Sequence, residues 1–172
     1  MTEAGRKGVV IPLPSVLSYL TSVYRHRTSK RPKHQHFNET MEEIPMKQRI
    51  STDLAPAAIG PYSQAIRYGD LLFVSGQIGL NPETGEIVAG DIEAQTKQVM
   101  ENLQAIIREA GMSLQSVLKC SCFLDDMEDF AKFNAVYNSY FAESLPARET
   151  VEVGRLPKDV KVEVSAICGA EK

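Results

Sequence analysis

Arg148 and Glu163 are the side chains here whose types and surroundings best suit them to chemistry. Pro146-Ala147-Arg148 opens one apolar, β-branched run, and Val162-Glu163-Val164 sits in the next. Arginine and glutamate are seldom fully buried unless each has a partner. A guanidinium fork matches both oxygens of a small carboxylate at once. A nearby glutamate then holds and activates a water. Together they point to a small site for an organic acid, built without metal or cofactor. The plain alternative is a buried ion pair between the two.

The remaining composition removes several chemistries. All three histidines (His26, His34 and His36) precede residue 46. The rest of the chain therefore has no Ser-His-Asp triad, no Cys-His pair and no histidine metal site. The cysteines, Cys120, Cys122 and Cys168, are odd in number and form no C-x-x-C pair. Cys120 and Cys122 alternate on one expected strand and face the same side, which reads as reduced, buried thiols. From Met46 to Lys172 there are 12 Lys and Arg against 18 Asp and Glu, a net −6. Nucleic-acid binding usually needs a basic stripe, so an acidic body argues against it. No apolar run approaches membrane-spanning length.

Residues 1–45 read as an N-terminal extension and 46–172 as a single domain. The extension is basic, net +3, with its cluster at Arg25-His26-Arg27 through Lys33. Three readings stand: an organelle-targeting segment, a disordered arm, or a start placed too early, with Met46 as the true first residue. The last is preferred, because Met46-Lys47-Gln48-Arg49-Ile50 leads directly into the first strand-like segment.

The elements that must position Arg148 and Glu163 follow in order. Ile50–Thr52 predicts a short strand, and Ala55-Pro56 to Gly60-Pro61 a turn. Ser63–Tyr68 and Leu71–Ser75 predict a hairpin closed at Gly69-Asp70. Asp91 is placed to cap a long helix whose Ile92, Val99, Leu103, Ile106, Ile107 and Ala110 share a face, with Gly111 just past its end. Val117–Leu124 predicts a buried strand. Asp125 and Glu128 are spaced as a capping box before a second helix with the stripe Phe130, Phe133, Tyr137, Tyr140, Phe141, which reads as core. Ala147–Val153 and Val160–Cys168 complete the strands. The order predicts an α+β fold, one sheet with both helices on one face. The last strand alternates Val160, Val162, Val164, Ala166 with Lys161, Glu163, Ser165, Ile167. The second face is thus mixed, suited to solvent or partner subunits.

Five stretches then carry a resemblance. They are Ala57-Ala58-Ile59-Gly60-Pro61-Tyr62-Ser63-Gln64-Ala65, Ser75-Gly76-Gln77-Ile78, Phe130-Ala131-Lys132-Phe133-Asn134, Pro146-Ala147-Arg148 and Arg155 through Glu163. In order and spacing they resemble the RidA (YjgF-like) family of reactive intermediate deaminases, from about Ile50 to Ala170. The resemblance implies a chorismate-mutase-like fold, a mixed sheet with two helices on one face, assembled as a homotrimer with intersubunit sites. It implies hydrolysis of 2-imino or enamine acids, such as 2-iminobutanoate and 2-iminopropanoate, to 2-oxo acids and ammonia. Such intermediates escape from pyridoxal-phosphate dehydratases, and their removal protects pyridoxal-phosphate enzymes. It implies that no cofactor is needed; the reduced thiols, the acidic body and the lack of a long apolar run add the expectation of a cytoplasmic protein with no metal and no nucleic-acid or membrane partner.

Carried over by position, Arg148 would anchor the carboxylate and Glu163 would position the attacking water. Tyr62 would line the cleft, Ser75 and Gly76 would border it, and Asn134 would sit at its rim. Thr150 would face the substrate where many bacterial members have cysteine. Phe141–Pro146 is shorter than in some members. Two other functions compete: a module that binds a 2-oxo acid or amino acid without turnover, and a ribonuclease or translation inhibitor, which the acidic, histidine-free body disfavours.

Overall fold

A computed structural model of the chain describes residues 46–170; the expected extension, 1–45, lies outside them. The strands are β1 (Lys47–Ile50), β2 (Ala65–Tyr68), β3 (Leu71–Ile78), β4 (Val117–Leu124), β5 (Ala147–Glu152) and β6 (Val162–Gly169). The helices are α1 (Ile92–Glu109) and α2 (Phe130–Phe141). The strands form one sheet in the order β1-β2-β3-β6-β4-β5. Every pairing is antiparallel except β4 with β5, which is parallel.

The core lies between one sheet face and the two helices. Leu72, Val74, Cys120, Cys122, Val162, Val164 and Ala166 point from the strands toward Val99, Leu103, Ile106 and Ile107 of α1 and Phe133, Tyr137 and Phe141 of α2. Each fully buried Val, Leu, Ile or Phe among them contributes roughly 1.5–3 kcal/mol when removed from water. The alternation expected for β6 is present: Val162, Val164 and Ala166 are buried, while Glu163, Ser165 and Ile167 are half-covered on the opposite, open face. There Phe73 pairs with Ile167, and Phe123 with both Glu163 and Val151. Phe73 is 44% and Val151 43% exposed.

Several boundaries differ from the sequence expectation. β1 lies a few residues earlier than Ile50–Thr52, its register running from Lys47↔Tyr68 to Ile50↔Ala65. Only Ile50 of that strand is buried, so it has no period-2 signal to locate it. β3 passes through Ser75-Gly76 instead of ending there, because a bulge between Val74 and Gln77 absorbs the irregularity. The Asp125–Glu128 capping box is replaced by Asp126, whose side chain accepts from the Glu128 N–H at the start of a 3₁₀ turn, Met127–Asp129. The Asp125 N–H is already committed, donating to the Lys161 carbonyl.

Buried amides of α1 hold the strand ends that matter below. Asp91 caps the helix, as expected, accepting from Glu93 and Ala94. Asn102 donates to the carbonyls of Ile78 and Leu80 at 3.1 and 3.0 Å, fixing the end of β3. Gln95 accepts from the Lys161 N–H at 2.9 Å, fixing the entry to β6. No described helix is long and apolar enough to cross a membrane.

Candidate functional site

Arg148 enters on β5 opposite Cys120 of β4, so its side chain faces the helices. Its guanidinium carbon lies 4.7 Å from the Tyr137 ring centre, 5.6 Å from that of Phe130 and 5.9 Å from that of Phe133. Ring faces attract a cation at such distances. Nη1 donates to Asn134 Oδ1 at 2.9 Å. Among the described residues no carboxylate lies within ion-pair distance of Arg148. The cation is held by rings and an amide, and its charge is uncompensated. Beside it opens a cavity of about 310 Å³ lined by Asn134, Tyr137, Asn138, Phe141, Leu145, Pro146 and Arg148.

Asn134 therefore does not point to solvent, its default in mid-helix; it orients the guanidinium. The stripe Phe130, Phe133, Tyr137, read from sequence as core alone, is both core and cradle. The available signal was Asn134 one residue after Phe133, which put an amide beside that stripe. Thr150 lies two residues along β5, opposite Cys122. Its Oγ1 and the Tyr137 hydroxyl are buried with no hydrogen-bond partner among the described residues. Burial, then the adjoining Cys120 thiol, raises the Tyr137 pKa. All three cysteines are free and buried, and burial pushes Cys122 and Cys168 up to about 12.

Glu163 occupies the other face. It pairs across the sheet with Ile78 of β3 and Phe123 of β4. Its carboxylate lies directly on Gly76: a Cβ built there would overlap Oε1 and stand 2.8 Å from Cδ. Gly76 is expected to border the cleft; its clearest role is to leave room for this carboxylate. Glu163 is half-buried and, among the described residues, has neither a cation nor a hydrogen-bond donor in reach. Burial raises its pKa above the ordinary glutamate value.

Ser75 lies beside Gly76 in the bulge, its Oγ donating to the Ser63 carbonyl at 2.7 Å and its N–H to the Gln64 carbonyl at 3.0 Å. Those bonds tie β3 to the loop carrying Tyr62, which is 52% exposed. Tyr62 lines a second cavity, of about 410 Å³, with Thr52, Asp53 and Ser63. Gln64 is the staple beneath that loop. Its Nε2 donates to the carbonyls of Thr52, Ala55 and Pro56, and its Oε1 accepts from the Thr52 N–H.

The candidate residues thus fall into two groups. Arg148, Asn134 and Thr150 gather between β5 and α2. Glu163, Gly76 and Ser75, with Tyr62 next door, gather on the open face. Glu163 and Val151 both pair with Phe123, and Arg148 lies three residues before Val151. At ~3.3 Å per residue and ~4.8 Å per strand, the two Cα atoms are about 14 Å apart, with side chains on opposite faces. The plain alternative, a buried ion pair between Arg148 and Glu163, is absent, and within one chain the two groups stand apart. Pleat alternation sets the outcome, since β5 pairs with β4 in the register that turns Arg148 toward the helices.

Each group has a defined capability. The first can bind a carboxylate, through an unpaired guanidinium in a partly apolar cavity. The second can take a proton, through a carboxylate whose affinity for one is raised. Among the described residues no cluster of three His, Cys, Asp or Glu side chains is arranged to hold a metal ion.

The chain matches the family model described as Endoribonuclease L-PSP over residues 52–169. It is 58% identical over 125 residues to a RutC family protein of Pyrococcus abyssi, covering 73% of this chain and 98% of the relative. It is 47% identical over 125 residues to the 2-iminobutanoate/2-iminopropanoate deaminase of Escherichia coli K12, covering 71% and 97%. Among solved structures, a putative endoribonuclease of Thermotoga maritima superposes with TM-score 0.73 at 49% identity, over 74% of this chain and all of that one. TdcF of Escherichia coli with bound serine gives 0.69 at 44% identity, over 72% and 99%.

Proposed function

Because the chain belongs to the endoribonuclease L-PSP (YjgF/RidA) family, we propose that it hydrolyses 2-imino acids and their enamine tautomers, such as 2-iminobutanoate, to 2-oxo acids and ammonia. The observation that carries this reading is the uncompensated Arg148 guanidinium, held by Asn134 and three rings at the edge of a cavity. The similarity to an enzyme named for this reaction supports it.

The site we propose spans two copies of the chain. One copy supplies Arg148, Asn134 and Thr150; the other supplies Glu163, seated over Gly76, with Ser75 and Tyr62. The apolar open face around Phe73, Ile167 and Phe123 supports close approach of further copies, and a homotrimer is the assembly we infer. Arg148 takes the substrate carboxylate in a bidentate grip. This fixes the C=N carbon before a water held by Glu163. With the imine protonated on nitrogen, the water oxygen bonds to that carbon as one water proton passes to Glu163 and the C=N electron pair moves to nitrogen, giving a neutral carbinolamine. Glu163 returns that proton to the amine nitrogen; the C–N bond then breaks as the oxygen lone pair forms C=O, ammonia leaves, and the hydroxyl proton passes to Glu163 and on to solvent, leaving the 2-oxo acid. Positioning supplies up to roughly 7–11 kcal/mol in favourable cases. A general base adds about 10²–10⁴-fold.

A second reading is a cleft that holds an amino or 2-oxo acid without turnover; the bound serine in TdcF favours weighing it. A coupled assay in which a dehydratase generates 2-iminobutanoate separates the two. Arg148→Ala is expected to lower kcat/KM by at least about 10²-fold, since a charged hydrogen bond whose partner is lost costs ~3 kcal/mol or more. An unchanged rate removes the anchoring role. No hydrolysis above background by the parent protein, with retained 2-oxobutanoate binding, selects the second reading.

A further inference from the structure

Leu145 is the least expected residue around the Arg148 cavity. Its φ is +43°, in the left-handed region that an L side chain with a branched stem rarely adopts. Its N–H donates to the Phe141 carbonyl at 3.0 Å and closes the end of α2, where glycine or asparagine is the usual residue. It also precedes Pro146, which narrows its backbone choice further. Core packing does not account for a leucine there, since it is 75% exposed. It nevertheless lines the same cavity as Arg148 and Asn134. A strained position that holds an exposed apolar side chain at a cavity mouth is the pattern that points from strain to function.

We propose that Leu145 is a specificity-determining residue, the wall that receives the ligand's side chain and selects small apolar substituents. The inference rests on the reading of Arg148 as a carboxylate anchor. With the carboxylate on Arg148, the neighbouring carbon carries the side chain, which must extend along the cavity. The surfaces it meets are the Phe141 ring, Pro146 and Leu145. Among the described residues no cationic side chain other than Arg148 lines the cavity, so a second carboxylate on the ligand would lose water without gaining a partner there. Ligands derived from alanine, 2-aminobutanoate or longer aliphatic amino acids fit; those derived from aspartate or glutamate do not.

The test is a ratio, so that general damage to the site cancels. Parent protein, Leu145→Gly and Leu145→Met are compared for kcat/KM on 2-iminobutanoate and on the glycine-derived imine, which has no side chain. In parallel, 2-oxobutanoate and glyoxylate are titrated calorimetrically. Leu145→Gly is expected to melt no lower than the parent, because the backbone relaxes. Its preference for the four-carbon ligand should fall about tenfold in both assays, the scale set by one or two methylenes in an apolar pocket. Leu145→Met should restore most of the preference. An unchanged ratio in Leu145→Gly overturns the inference. If the parent hydrolyses neither imine while the binding ratio still falls, the deaminase reading fails and the role of Leu145 stands. If the parent binds neither oxo acid, both fall.

Discussion

Gly76 and Glu163 share one volume, and that sharing fixes where the carboxylate can be. Gly76 is not among the glycines with positive φ, so its backbone would accept alanine; the obstacle is the Glu163 carboxyl group. Glu163 is half-buried and can swing toward the open face. Gly76→Ala is therefore expected to fold and to melt within a few degrees of the parent, yet to lose activity by about 10²-fold, the lower range for a misplaced general base. Circular dichroism melts beside the coupled assay check this, and equal losses in both would assign Gly76 to folding alone. The titration of Glu163 gives a second expectation. Burial raises its folded pKa, so the folded chain binds that proton more tightly than the unfolded chain does. Its contribution to stability is present at acidic pH, below the unfolded value, and is lost as pH rises through the folded one. Activity runs the other way, because only the ionised form accepts a proton. Glu163→Gln should therefore raise the melting temperature at pH 7.5, with the gain shrinking toward pH 4, while abolishing turnover. In the parent, the acid limb of the rate profile should lie above the usual glutamate range.

Elements transmit these constraints through a few buried amides rather than through the sheet alone. Gln64 is 3% exposed and holds the loop before β2 by four bonds to backbone. Gln64→Leu would strand the carbonyls of Thr52, Ala55 and Pro56, and is expected to cost about 2–4 kcal/mol, since each unsatisfied buried group costs ~1–3. Urea denaturation measures it, and limited proteolysis should find new cleavage between residues 52 and 62. The helices and the faces of β6 were legible in the sequence because their patterns are local: Asp91 before an apolar helical period and Gly111 after it, and Val-Glu-Val-Ser-Ala alternation from Val162 to Ala166. The motifs carrying Arg148, Asn134, Gly76 and Glu163 were legible as well. What could not be read was which face Arg148 and Gly76 joined. That depends on the parallel register of β5 on β4 and on the bulge at Ser75-Gly76, and both are set by tertiary pairing. The stripe at Phe130, Phe133 and Tyr137 looked purely apolar because helical period does not reveal that a guanidinium lies against it. Leu145 carried no signal, since its backbone conformation is imposed by the turn between α2 and Pro146.

At the scale of the whole molecule, one chain presents the Arg148 group and the Glu163 group on opposite faces of a single sheet, and no side-chain rotation bridges about 14 Å through it. A cation without an anion and a raised-pKa carboxylate without a donor are each poor choices for an isolated chain. Both fit the proposed assembly, in which each cleft would draw its two groups from different chains. Complementation tests this directly. Arg148→Ala and Glu163→Gln should each be inactive as pure proteins, while retaining secondary structure. Co-expressed in equal amounts and assembled at random into a ring, the two should yield intact clefts wherever a chain with Arg148 faces a chain with Glu163. Closed cyclic symmetry gives each chain one such neighbour on each side, so about one cleft in four recovers both groups. Activity near one quarter of the parent, appearing only when both variants are assembled together, is the expected result. A double variant with both substitutions in one chain, co-expressed with parent, should by the same counting also leave about one cleft in four intact. No recovery from the mixed singles would mean that both residues serve the same chain's cleft, and the shared site would have to be abandoned.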